Sequence, residues 1–280
     1  MKGIIALDID GTSTAEYHRL SKTVAAYFED LARAGWKLIF ITGRPFAWGV
    51  KPLRELNCPY FLAVQNGALI FEMPAEKVIQ RRYIDTSVFP LAESACSNEP
   101  TDYVIYGGYE QQDVCYFRPQ RFSKPLLAYL RQRIAELQEH WIEVADYNDL
   151  PLSSFPSIKC FGEYASLARI QQKLDGSRLH MPIISDPLGD EHAFVAQGTD
   201  PFATKGEALR SFSTRFDKKA PLIIAAGDDF NDISMLKAAT VKVVMATAPQ
   251  ELLAIADIVA PSAALDGIIE GLNRAITFKH

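Results

Sequence analysis

Short, continuously apolar runs recur along the chain at 2–7, 38–41, 61–64, 222–226 and 241–245. Runs of this kind predict parallel strands buried on both faces. Between them the spacing turns helical. Val24, Tyr27, Phe28 and Leu31 follow a Ser21 cap, and Gly35 is placed to end that helix. Pro45 can open a second helix, running to about residue 55. Asn66-Gly67 favours a tight turn, and the alternating runs 68–72 and 77–83 read as its hairpin. Late in the chain, helices are predicted at 205–212, through Leu236, near 250–256 and near 264–275. Strand–helix alternation of this sort predicts an α/β fold, a Rossmann-like core with a doubly wound parallel sheet.

The middle of the chain has a different rhythm. Strand-like pieces at 103–106, 114–117, 158–161, 183–185 and 192–196 mix with two amphipathic helices, at 124–138 and 167–174. Turn clusters at 97–100 and 186–189 separate them. The pattern predicts an α+β domain at 85–198 inserted into a core made of 1–84 and 199–280.

The bulk properties narrow the class. A chain of 280 residues suits two domains. Its 48% apolar and 22% charged content is that of a globular protein, and the net charge of -5 leaves no basic footprint for nucleic acid. Nothing approaches the 18 consecutive apolar residues of a membrane span. The N-terminus enters a strand without a signal-peptide layout, so a cytoplasmic location is expected. Cys58, Cys96, Cys115 and Cys160 are widely spaced and read as reduced packing thiols. The five histidines form no HExxH, which argues against zinc.

Candidate chemistry gathers at the ends of the apolar runs. Asp8-Ile9-Asp10-Gly11-Thr12 follows the first strand, Thr42 the second, Asn66 the third, and Asp228, Asn231 and Asp232 follow the run at 222–226. In an open parallel sheet these positions share the carboxyl edge, where ligands bind. Alternation along an extended backbone aims Asp8 and Asp10 the same way. Two carboxylates in one pocket repel unless a cation lies near or one holds a proton. The pair therefore fits a hard metal ion, a nucleophile with an acid/base partner, or both. Asp-x-Asp-Gly also serves calcium loops and plain turns. Lys205, opening a helix, can reach the same edge. Each group suits phosphoryl transfer: carboxylates for Mg2+, a carboxylate nucleophile, a second carboxyl for proton transfer, and Thr42, Lys205 and the backbone N–H groups near Gly11 and Thr12 for phosphoryl oxygens.

These residues resemble the haloacid dehalogenase-like phosphohydrolase superfamily. Asp8-Ile9-Asp10-Gly11-Thr12 is similar to its first motif, Ile41-Thr42-Gly43-Arg44 to its second, Lys205-Gly206 to its third and Gly227-Asp228-Asp229-Phe230-Asn231-Asp232 to its fourth. The motifs occur in order and frame nearly the whole chain. The resemblance implies that Asp8 is the nucleophile and Asp10 the general acid/base. It implies Mg2+ held by Asp8, the backbone carbonyl of Asp10 and Asp228, with Asp232 in support. Thr42, Lys205, Asn231, Gly11 and Gly43 are implied as the phosphate-binding set. An insertion between the second and third motifs implies subclass IIB, whose large cap closes over the site and sets specificity; Gln65-Asn66-Gly67-Ala68 and Lys205-Gly206-Glu207-Ala208-Leu209 are similar to that subclass too. Ser13-Thr14 departs from the family, where an apolar residue usually follows.

The implied activity is hydrolysis of a small phosphorylated metabolite, a sugar phosphate first among them, by a monomer or homodimer. A phosphomutase would use the same residues with a bisphosphate activator, and a metabolite-binding protein would keep the fold without turnover. A dehalogenase fits poorly because the full phosphate set is present, and no GxGxxG follows the first strand as a nucleotide-dependent oxidoreductase requires. Several residues carry a plainer reading. Asp229 reads as a helix cap, Asn66 as a turn former and Lys159 as a solvated lysine of the inserted domain. Arg44 fits substrate contact or the surface equally, and Arg118 is a weaker candidate still.

Overall fold

The structure is a computed structural model and describes residues 1–16, 18–176, 178–186, 189, 193–216 and 222–278. Contacts divide it into two compact units: Met1–Arg44, Trp48–Arg81 and Ala203–His280 form one, and Pro45–Ala47 with Arg82–Phe202 form the other.

The first unit is built on an eight-stranded sheet. Its order is Ile258–Ala260, Val241–Met245, Leu222–Gly227, Gly3–Leu7, Trp36–Ile41, Tyr60–Val64, Leu69–Met73 and Lys77–Arg81. The first six run parallel, and the last two join antiparallel. Gly3–Leu7 is buried at every position because both faces are covered. On one face Ile4, Ala6, Ile39 and Ala225 pack with Leu209, Phe212, Leu236 and Leu252 from three following helices. On the other, Phe28 of the Lys22–Arg33 helix meets Phe40 edge-on at 5.5 Å. That helix starts as its sequence predicts: the Ser21 hydroxyl accepts from Val24 N at 3.1 Å. The chain leaves Gly3–Leu7 to one side through Trp36–Ile41 and to the other through Leu222–Gly227. The sheet thus has a topological switch point at the end of Gly3–Leu7, where ligands bind in such sheets.

Several expectations are corrected here. The helix expected from Pro45 to about 55 stops at Gly49, and Lys51–Leu53 forms a 3-10 turn. Pro52 offers no N–H and its ring clashes with the preceding turn, so an α-helix cannot run through it. Asn66-Gly67 does turn the chain, but it joins Tyr60–Val64 to Leu69–Met73, which then also pairs with Lys77–Arg81. The final helix starts only at Ile268, after a 3-10 turn at Ala263–Leu265. The helix expected near 250–256 is shortened to Gln250–Leu253.

The second unit holds a six-stranded sheet ordered Ile183–Ser185, Phe194–Thr199, Ser157–Gly162, Tyr103–Tyr106, Cys115–Phe117 and Trp141–Glu143. Pairing is antiparallel except between the last two strands. Strand alternation sorts side chains to two helical layers. Tyr103, Ile105, Ile158 and Cys160 pack with Ala92, Leu167 and Ile170 from the Phe89–Cys96 and Tyr164–Leu174 helices. Val104, Tyr106, Phe117 and Phe161 pack with Leu130 of Lys124–Leu137. Phe89–Cys96 was not anticipated: it is short, weakly patterned and has Pro90 in its first turn, where proline is tolerated. Pro187 and Leu188 of the expected 186–189 turn, and His192 of the expected 192–196 strand, lie outside the described residues. All four cysteines are buried free thiols. Among the described residues no helix is long and apolar enough to cross a membrane.

Candidate active site

Gly3–Leu7 delivers Asp8 to the carboxyl edge of the sheet, and its backbone N–H still reaches Ala226 O at 3.0 Å on the neighbouring strand. Leu222–Gly227 delivers Asp228 beside it, since the two strands pair in register. The turn after Asp228 is locked by Asp232. Its Oδ2 accepts from the backbone N–H groups of Asp228 at 3.0 Å and Asp229 at 3.1 Å, and the Asp229 side chain completes a capping box. Asp229 is thus a cap, as its sequence reads. The Thr204 hydroxyl caps the helix that begins with Lys205. The Lys205 ammonium, 2% exposed, donates to Asp8 Oδ1 at 2.5 Å and Asp232 Oδ1 at 2.7 Å.

Two glycines permit this crowding. Gly11 takes φ +71°, and a β-carbon there would lie 2.1 Å from Asp228 Oδ2. A β-carbon at Gly206 would lie 2.4 Å from Ser234 O, so the Lys205 helix could not pack as close.

Oxygens of Asp8, Asp228 and Asp232 lie within 4.8 Å of one another. Burial holds the Asp8 carboxyl well above the ordinary carboxylate range; Lys205 pulls it down, while Asp232, Asp228 and Asp10 push it up. Burial, reinforced by Asp232, raises Asp228 to about 7 against the opposing pull of the Thr12 hydrogen bond and Lys205. Burial disfavours the Lys205 ammonium, but Asp232 and Asp8 outweigh it and raise its pKa. One ammonium therefore does not offset three carboxylates. The oxygen-only donor set and its uncompensated repulsion fit a small divalent cation such as Mg2+.

The Asp10 side chain lies outside that cluster and forms a bidentate pair with Arg44: Arg44 Nε donates to Asp10 Oδ2 at 2.7 Å and Nη2 to Oδ1. Arg44 Nη1 also donates to Trp48 O at 3.2 Å. Arg44 thus belongs to the site, a role its sequence position did not decide. Thr42 is buried at the next strand end, and its hydroxyl accepts from Arg44 N at 3.2 Å. Gly43 lies between them. Asn231 is half-buried on the Phe230–Asp232 turn. Asn66 takes φ 57°, the left-handed conformation that asparagine tolerates, and its N–H reaches Thr42 O at 2.8 Å.

Sequence reasoning missed two hydroxyls. Thr12 Oγ1 donates to Asp228 Oδ1 at 2.6 Å, and Ser13 Oγ donates to Asp8 O at 2.5 Å. The signal for Ser13 was the hydroxyl pair Ser13-Thr14 that follows the motif; Thr12 closes the motif itself, and its pairing with Asp228 depends on which strands lie side by side. Two candidates of the second unit move the other way. Arg118 is buried in its own network, bonded to Asp102 at 2.8 and 2.9 Å and lying over the Tyr147 ring at 4.3 Å. Lys159 is only 7% exposed, not solvated as expected, because strand alternation puts it on the same face as Phe161, which packs with Leu130 of Lys124–Leu137; its ammonium sits 4.4 Å from the Tyr106 ring centre. Burial and the nearby Arg133 charge lower it to about 8.

The family profile described as haloacid dehalogenase-like hydrolase matches residues 5–272, and the chain belongs to that family. A Haemophilus influenzae protein, provisionally named a phosphatase, is 24% identical over 93% of this chain and 93% of its own. A haloacid dehalogenase-like hydrolase from B. subtilis has the same fold, with a TM-score of 0.77 and 23% identity over 98% of this chain and 99% of its own. The sugar phosphatase BT4131, described as of subclass IIB, superposes with a TM-score of 0.75 and 22% identity over 97% of this chain and 98% of its own. The parallel-sheet core is thus the fold of this family.

Proposed function

We propose that this phosphatase hydrolyses a small phosphorylated metabolite, a sugar phosphate, through an aspartyl-phosphate on Asp8 with the help of Mg2+. The observation that carries the reading is the convergence of Asp8, Asp228, Asp232 and Lys205 at the switch point of the sheet. Asp8, the backbone carbonyl of Asp10 and Asp228 would hold the ion, with Asp232 in support. When bound, the cation offsets the carboxylate charge and draws the phosphoryl oxygens toward the nucleophile.

In this reading an Asp8 carboxylate oxygen attacks phosphorus. The bond from phosphorus to the leaving oxygen breaks, and Asp10 gives that oxygen a proton. Water then attacks the phosphorus, Asp10 takes its proton, and the bond to Asp8 breaks to release phosphate. Lys205 fixes the orientation of Asp8 and offers positive charge where phosphoryl charge develops. Thr42, Asn231 and the backbone N–H at Gly43 bind the remaining phosphoryl oxygens; the Gly11 N–H, expected among them, is instead bonded to Thr14 O at 2.9 Å and holds the loop in shape. The unit formed by Arg82–Phe202 acts as the cap that selects the leaving group. The name of BT4131 supports a sugar phosphate.

Phosphate release from sugar phosphates, nucleotides and an aryl phosphate, with Mg2+ or EDTA, tests the reading. Release is expected only with Mg2+ and not from Asp8→Asn. No release from any compound by folded, Mg2+-loaded protein, or full activity in Asp8→Asn, would overturn it.

A further inference from the structure

Of the three clustered carboxylates, Asp8 and Asp232 share the Lys205 ammonium, which lies 2.5 and 2.7 Å from them. Asp228 is held differently. Its Oδ1 accepts from Thr12 Oγ1 at 2.6 Å across 216 positions of sequence, and Thr12 is fully buried. Its Oδ2 lies against the Gly11 backbone, where a β-carbon would intrude to 2.1 Å. The Gly11-Thr12 loop thus bounds both oxygens of one carboxylate, by a hydrogen bond on one side and steric contact on the other. The loop is itself tied down, with Gly11 N bonded to Thr14 O at 2.9 Å and Ser13 N to Ile9 O at 3.0 Å.

From this geometry we infer that Thr12 is a positioning residue, whose hydroxyl fixes the rotation of the Asp228 carboxylate for cation binding. The inference rests on reading Asp228 as a residue that holds Mg2+. A methyl group in place of the hydroxyl would leave the packing volume nearly unchanged. It would free the carboxylate to rotate and remove a donor that favours its ionised form. Groups that orient a metal ligand in this way typically affect metal affinity by 10–100-fold when removed.

The test is calorimetric titration of Mg2+ into EDTA-stripped wild type, Thr12→Val and Thr12→Ser, with circular dichroism to verify folding. Thr12→Val is expected to weaken Mg2+ binding at least about tenfold, and Thr12→Ser to stay within about threefold of wild type. The Mg2+ concentration giving half-maximal phosphate release should shift in parallel, with KM for the phosphate ester unchanged at saturating Mg2+. Equal affinity in wild type and Thr12→Val, or a Thr12→Ser as weak as Thr12→Val, would overturn the inference alone. A wild type that binds no Mg2+ would overturn the metal reading and this inference with it. Should valine disturb the buried loop, Thr12→Ala replaces it with the same outcomes.

Discussion

Arg44 sets the placement of Asp10. Two parallel hydrogen bonds from its guanidinium fix the Asp10 carboxylate in one plane, an orientation that a flexible ammonium does not impose. If Asp10 moves protons, its placement matters as much as its presence, because a displacement of about 1 Å can cost about 10²-fold in rate. Arg44→Ala is therefore expected to lower kcat about 10²-fold with little change in thermal midpoint, and Arg44→Lys to recover only part of the loss. Steady-state phosphate release measures both; a kcat for Arg44→Ala equal to wild type would show that the pair does not position Asp10 for the reaction. The difference between Asp8 and Arg44 shows what a sequence reveals at this scale. Asp8 and Asp228 were legible because each follows an apolar run that must be a strand, and parallel strands put their ends on one edge. The partner of Arg44 was not legible, since pairing across 34 residues depends on which strand lies beside which.

Among the elements, parallel strands buried on both faces announce themselves, whereas short helices do not. Trp36–Ile41 and Leu222–Gly227 were readable as apolar runs, but Phe89–Cys96 has neither length nor a clear apolar stripe and forms because tertiary packing covers it. The same limit hid the role of Arg118. In the second unit its guanidinium pairs with Asp102, whose side chain is fully buried, and with Glu93 of the Phe89–Cys96 helix. It also lies over Tyr147 at 4.3 Å, so one side chain joins helix, strand and turn. Removing one partner of such a pair strands a buried charge, at about 3–5 kcal/mol. Arg118→Met should thus destabilise the protein by about that amount in urea unfolding, while Arg118→Met with Asp102→Leu should cost less than the single change. If the double change costs as much as or more than the single one, uncompensated charge is not the origin of the loss.

At the scale of the whole molecule, the active-site carboxylates link stability to pH and to metal. The net charge is only -5, yet three carboxylates place oxygens within 4.8 Å of one another beside one ammonium. The folded state holds Asp8 well above the usual carboxylate range, chiefly through burial, and Asp228 at about 7 for the same reason. An unfolded aspartate titrates near 3.9. Between that value and about 7 the folded protein binds more protons than the unfolded chain, so stability must fall as pH rises through the window. The contribution is fully present below the unfolded value and is gone above the folded one. Asp228→Asn removes one titrating group without changing side-chain size. Its thermal midpoint relative to wild type, in EDTA, should rise steadily from pH 5 to pH 8. Mg2+ binds the deprotonated carboxylates of the folded state and not the unfolded chain, so it should raise the wild-type midpoint more at pH 8 than at pH 5. Thermal unfolding in EDTA and in Mg2+ across this range measures both effects. A midpoint difference that stays flat with pH would show that these carboxylates titrate normally in the fold, and that their repulsion is not what calls for a cation.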